Sequence, residues 1–190
     1  MIENDILSKI IDSNNHKVGG GSSSAISGAM AAGMISMVSK LSLKINYGLL
    51  PEEYNNISIE LDFLAKKLLE GASLDEDAFC NLMKSYSLPK LTEDERNIRN
   101  KAIQKSSTVA SSVPSDNGFM CSKVYKLGQK LIGKSNPTAE SDLLIAIKLS
   151  EVGIYGCILN IQANLVSIKN DDIIIKFNKN INDLKNYKGE

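Results

Sequence analysis

Tryptophan is absent, and Phe and Tyr together make up only 5% of the chain. A protein so poor in flat π faces lacks the platform on which single-stranded nucleic acid stacks. Surplus positive charge is missing too: 22 Lys and Arg balance 22 Asp and Glu, for a formal net charge of zero. Duplex phosphates demand a basic excess, so nucleic acid is not an expected partner. There is one histidine, His16, and three scattered cysteines, Cys80, Cys121 and Cys157. They form neither a zinc-ligand spacing nor a disulfide framework, so no metal site is expected. The thiols read as reduced core residues of a cytoplasmic protein.

Membrane signals are weak. The N-terminus MIENDILSKI is acidic and amphipathic, unlike a signal peptide. Residues 25–38 are apolar or small but too short for a bilayer. Residues 143–168 are long enough, yet carry Lys148, Glu151, Asn160, Gln162 and Asn164. A buried helix is the better reading, and no membrane partner is expected.

What is present is helical spacing. Apolar residues recur at three and four, and no segment alternates as a strand would. Ile2, Ile6 and Ile10 open a short first helix, and 22–42 forms a second. Pro51 starts a third at the favoured first position, with Tyr54, Ile57, Leu61, Leu64 and Leu68 as its stripe. Ser73 with Glu76, and Thr92 with Glu95, read as capping boxes that start helices four and five. Pro89 closes the fourth, and Pro114 is expected to break or kink the fifth. A sixth helix follows through Val124, Leu127 and Leu131, and Gly133 stops it. Asn136 and Pro137 restart the chain into the longest helix, about 138–167. Ile174, Phe177, Ile181 and Leu184 mark a last helix. The expectation is an all-α, single-domain helical bundle over residues 1–190.

The stretch KVGGGSSSAISGAMAAGM, residues 17–34, raises the question of function. A phosphate loop would need a preceding strand and a GK[ST] ending, and a dinucleotide fingerprint would need the strand; neither is present. Two uses remain. Gly21, Ala25, Ala29 and Gly33 recur at fours beside Ser24, Gly28, Ala32 and Ser36, a smooth face for close helix packing. Gly19, Gly20 and Gly21 at a helix start also suit a carboxylate. On the long helix, Asp142, Ala146, Gly153, Cys157, Asn160 and Asn164 share one side. Its amides either bind neighbouring backbone or border a cavity between helices. Asp142 and Asp75 both lie near expected helix starts, where the dipole favours a carboxylate.

Four segments, in order, resemble the cyclodeaminase family: the C-terminal domain of formiminotransferase-cyclodeaminase and its stand-alone relatives. They are Gly19-Gly20-Gly21-Ser22; Asp75-x-x-Ala78-Phe79 with Met83 and Leu88-Pro89-Lys90; Asn136-Pro137 with Ser141-Asp142; and Asn160-Ile161-x-x-Asn164-Leu165. The resemblance covers about residues 3–185. It implies an all-helical homodimer acting on a tetrahydrofolate derivative, with no metal or redox cofactor. Two activities fit: 5-formiminotetrahydrofolate to 5,10-methenyltetrahydrofolate with loss of ammonia, or hydrolysis of the methenyl compound to 10-formyltetrahydrofolate. Asp142 is then the first catalytic candidate and Asp75 the second. Gly19, Gly20, Gly21, Ser22, Lys90, Asn136, Asn160 and Asn164 are the substrate-binding candidates. The chain departs from the family pattern at His16-Lys17-Val18, at Leu43–Gly48 and at Gln162, where cations or prolines are usual. Those losses keep two alternatives open: a non-catalytic folate binder, or a helical dimerisation protein.

Overall fold

The computed structural model describes residues 6–189. Six α-helices run in the order α1 (Ile6–Ile11), α2 (Gly20–Leu41), α3 (Pro51–Tyr86), α4 (Glu93–Gln129), α5 (Glu140–Leu165) and α6 (Asp171–Lys185), with a 3₁₀ turn at Pro137–Ala139 before α5. No strand occurs among the described residues. Ile2, expected to open α1, lies outside them.

Four of these helices make the body. Ser22 of α2 touches Ala72 on α3, while Ser39 touches Tyr54, so α2 and α3 run antiparallel. Ser24 faces Gly156 and Ser27 bonds Leu149, so α2 and α5 are antiparallel as well. Asn117 reaches Gly71 while Ala110 packs with Ala78 and Leu82, and Asn164 reaches Ala110 while Gly128 faces Ile147, so α3 and α4, and α4 and α5, are antiparallel too. The result is an up-down-up-down bundle. One core runs through it, with Ile35, Leu61, Leu68, Leu131, Leu143, Ile154 and Ile161 fully shielded from water. Tyr54 anchors one end: its ring is buried and its hydroxyl donates to the Lys134 carbonyl at 2.6 Å.

α2 sits at the centre because it is built from small residues. Fourteen of its residues, from Gly21 to Ser39, are buried. Buried hydroxyls must be satisfied. Ser22 donates to the Ala72 carbonyl, Ser27 to Leu149 and Ser39 to Tyr54, at 2.8–2.9 Å. The serines thereby tie α2 to the backbones of both flanking helices. Glycines set the approach distance. A Cβ on Gly156 would overlap the Ser24 hydroxyl, and one on Gly28 would overlap the Cys121 sulfur.

The two longest helices differ from expectation. Ser73 and Glu76 do not start a helix; α3 runs through them from Pro51 to Tyr86. Ser73 is exposed, and Glu76 instead accepts from Lys9 at 2.7 Å. The continuous stripe Leu64, Leu68, Ala72, Ala78 and Leu82 overrides the local capping signal. Pro114 likewise does not end α4, which is the longest helix, longer than α5. Thr92 and Glu95 do form the expected capping box at its start. Gly133 adopts φ +67° in the turn after α4, the left-handed conformation suited to glycine. α2 and the segment Pro137–Leu165 are each long and apolar enough to cross a membrane, yet 67% and 44% of their apolar windows are buried in this core.

Candidate functional site

A cleft of about 180 Å³ opens where α2 begins. His16, Lys17, Gly19, Gly20 and Gly21 form one wall, Asp75, Ala78 and Phe79 of α3 another, and Ala110 of α4 with Asn160 and Asn164 of α5 close it. The arms of α3 and α4 that extend beyond the bundle, pinned to each other by Arg99 on the Tyr86 carbonyl, flank this end.

Asp75 occupies the start of α2. That helix has no side-chain cap at Gly19 and no acid in its own first turn. The Asp75 carboxylate fills the role from another helix, held by the Ser22 hydroxyl at 3.0 Å and by the Ser22 backbone N–H. Gly21 is required for this contact, because any Cβ there would collide with the carboxylate. The glycines therefore seat the protein's own acid. Burial pushes the Asp75 carboxyl above its usual range, and the two Ser22 hydrogen bonds oppose that rise. Such a group takes and releases protons nearer neutrality than an exposed acid does.

Pro114 explains the opposite wall. Proline has no N–H, so the carbonyl four residues earlier, Ala110, loses its helical partner. Asn164 Nδ2 donates to that carbonyl at 2.6 Å. One turn back on α5, Asn160 Nδ2 donates to the Gly156 carbonyl at 2.8 Å. Each amide spends one of its two N–H groups on backbone, so each keeps a second N–H and its Oδ1 for whatever enters the cleft. The two readings of this amide pair are thus compatible. With Asp75 they place a carboxylate and two amides around the cleft, able to hold positive charge as well as hydrogen-bond donors and acceptors.

The remaining candidates lie elsewhere. Asp142 is half-buried in the first turn of α5, about five turns or about 27 Å along the helix from Asn160. Asn136 caps the 3₁₀ turn, and its N–H donates to Ser42 Oγ at the far end of α2. Both stand at the opposite end of the bundle from the cleft. Lys90 is exposed in the α3–α4 connection and does not line it. Ser22 is wholly buried behind Asp75, so it touches the acid rather than the cleft. Sequence reasoning treated His16 and Lys17 only as departures, yet both line the rim. Their adjacency to the glycines was the available signal. Among the described residues no cluster of His, Cys, Asp and Glu could hold a metal ion.

Comparison with known proteins places these features in context. A family model described as formiminotransferase-cyclodeaminase matches residues 5–183. A methenyltetrahydrofolate cyclohydrolase from Methylorubrum extorquens is 31% identical over 147 residues, covering 77% of this chain and 71% of its own. Formimidoyltransferase-cyclodeaminase from Gallus gallus is 27% identical over 80% of this chain, and the match spans 28% of that larger protein. A solved formiminotetrahydrofolate cyclodeaminase from Thermotoga maritima superposes with a TM-score of 0.78 at 25% identity, covering 89% of this chain and 81% of its own. The chain belongs to the formiminotransferase-cyclodeaminase family.

Proposed function

We propose that this chain is a folate one-carbon enzyme whose reaction takes place in the cleft at the start of α2. It either closes 5-formiminotetrahydrofolate to the 5,10-methenyl compound with loss of ammonia, or hydrolyses the methenyl compound to 10-formyltetrahydrofolate. The observation that carries this reading is a half-buried carboxylate, Asp75, set in a cleft beside the amides of Asn160 and Asn164, in a family where relatives bear those activities.

The chemistry follows from the groups. The methenyl bridge carries delocalised positive charge. A carboxylate and two carbonyl oxygens in a restricted space stabilise that cation. In the hydrolytic direction, Asp75 takes a proton from the attacking water and returns it to the departing ring nitrogen, while the second water proton leaves to solvent as the formyl C=O forms. In the deaminating direction, N10 attacks the formimino carbon, Asp75 takes the N10 proton, and it delivers that proton to the amine as the carbon–amine bond breaks. One acid that titrates nearer neutrality serves both steps. Neither reaction changes oxidation state, so neither calls for an electron carrier.

The cleft is smaller than the roughly 300–1,000 Å³ that enclose a drug-sized ligand. It suits the reacting end of the folate, with the remainder passing over the rim. Phe79 offers an apolar ring there, and Lys17 a cation for the glutamate carboxylates. Lys17 replaces Lys90 in that role. Asp142 is too distant within one chain to touch a group in the cleft. The test is spectrophotometric: loss of methenyltetrahydrofolate absorbance marks the hydrolase, and its appearance from the formimino compound marks the deaminase. Inertness toward both would defeat the reading.

The same reading includes a cytoplasmic homodimer. α5 exposes Leu144, Ile145, Val152, Tyr155 and Leu159, and α2 exposes Met30 and Met37. Apolar side chains repeating at helical spacing on outward faces mark an association surface.

A further inference from the structure

Ser22 has two acceptors and one proton. Its hydroxyl is fully buried, 2.9 Å from the Ala72 carbonyl and 3.0 Å from Asp75 Oδ2. Both acceptors sit on one face of α3, three residues apart, so they move as a unit. We propose that Ser22 is a positioning residue that turns its proton between these two acceptors, holding Asp75 in one place as both carboxylate and acid. This rests on the assignment of Asp75 as the proton-transfer group.

The two states balance without moving a heavy atom. When Asp75 is ionised, the Ser22 O–H and its backbone N–H both donate to the carboxylate. When Asp75 is protonated, its own O–H donates to Ser22 Oγ, and the Ser22 O–H turns to the Ala72 carbonyl. A general base that must become an acid within one turnover needs such a partner, because a fixed donor would stabilise only the ionised form.

The fold supplies its own contrast. Ser36, about four turns along α2, also faces a carbonyl and a carboxylate, Ser58 O at 3.3 Å and Asp62 Oδ1 at 2.6 Å. Asp62 is ion-paired with Lys40 at 2.7 Å, and that pairing with the Ser36 bond holds its carboxyl below the usual range. It remains ionised, so Ser36 has no second state. Among the described residues no ion pair restrains Asp75 in this way. Around it, the connection before α2 brings His16 and Lys17 to the rim. Glu76 on its own helix is engaged by Lys9 of α1. α5 brings the Cys157 thiol, held neutral by its bond with the Cys121 thiol of α4 and by burial, and α4 lines the cleft itself with Ala110.

The test follows Asp75 by infrared carboxyl bands and ¹³C-aspartate NMR across pH, in substrate-free protein, with turnover recorded separately. Asp75→Asn assigns the signals. Wild-type protein should show the protonated acid as a hydrogen-bond donor. Ser22→Ala should remove that donor band and raise the midpoint by about one unit, the excess of the charge-assisted bond lost from the carboxylate over the neutral bond lost from the acid. It should lower kcat roughly tenfold with KM changed less than about twofold, since substrate binding is untouched. Ser22→Thr should restore the midpoint, and Ser36→Ala should leave it in place. A wild-type acid band without a bonded acceptor, or a midpoint indifferent to Ser22→Ala in a folded protein, overturns the proposal. Full turnover by Asp75→Asn would instead refute the catalytic assignment, and the substrate-free titration would still decide the Ser22–Asp75 exchange.

Discussion

At the scale of single residues, Asp75 joins function to a stability cost. Its folded carboxyl is raised, so the folded state holds its proton more tightly than the unfolded chain does. The sign follows by linkage: the native state is favoured below the ordinary aspartate range and loses that advantage as pH rises through the raised value. Asp75→Asn removes the charge but keeps the shape. It should lower kcat by roughly 10²–10⁴-fold, the usual worth of a general acid-base group. Its melting temperature at neutral pH should equal or exceed that of the parent, with the difference fading in acid; calorimetry across pH reads this out. Asn164 carries a second prediction. Because Pro114 leaves the Ala110 carbonyl unpartnered, Asn164→Leu should cost about 1–3 kcal/mol in urea unfolding, the penalty of a buried orphan acceptor. In a Pro114→Ala background the residue at 114 regains an N–H, and the cost should shrink. The sequence displayed Asp75, Asn160 and Asn164 as candidates but ranked Asp142 first. Both acids looked like helix-start charges. Only the pairing of α2 with α3 shows that Asp75 caps a different helix from its own.

Among the elements, α2 is defined by what its residues omit. Gly156→Ala, facing the Ser24 hydroxyl, should destabilise the α2–α5 contact by about 1–3 kcal/mol, as overpacking does. Gly19→Ala meets nothing within 4 Å and should cost only about 0.5–1 kcal/mol, the preference of an N-cap for Gly over Ala. Chemical denaturation of the two variants side by side checks the contrast. This close-packing face was legible at Gly21, Ala25 and Ala29, which are buried, but not at Gly33, which is exposed with nothing within 4 Å of an added Cβ. The bounds of α3 and α4 were not legible. A capping box at Ser73, a start signal, and a proline at 114, a stop signal, both mark local helix boundaries, yet each sits where tertiary contacts override it. Glu76 gains Lys9 and Ala110 gains Asn164. Those partners lie 67 and 54 residues away, beyond any local window.

For the whole molecule, the bundle separates two ends. The start of α2 carries the cleft, while the Asn136–Asp142 segment, which bears part of the family resemblance, stands at the other. Helix count aside, the all-α class was readable from periodicity alone, because no segment offered a competing alternation. Assembly belongs to this scale as well. If the outward side of α5 joins two copies, Val152→Lys with Tyr155→Lys should convert the dimer to a monomer in light scattering, without loss of helical circular dichroism. An unchanged mass would assign association to another face.

The most direct trial of the account is a single absorbance trace. Purified wild-type protein is mixed with 5,10-methenyltetrahydrofolate, or with the formimino compound, and compared with folded Asp75→Asn. The account expects the methenyl signal to fall or rise with the parent and to stay nearly still with the variant. Equal rates from both proteins would contradict it.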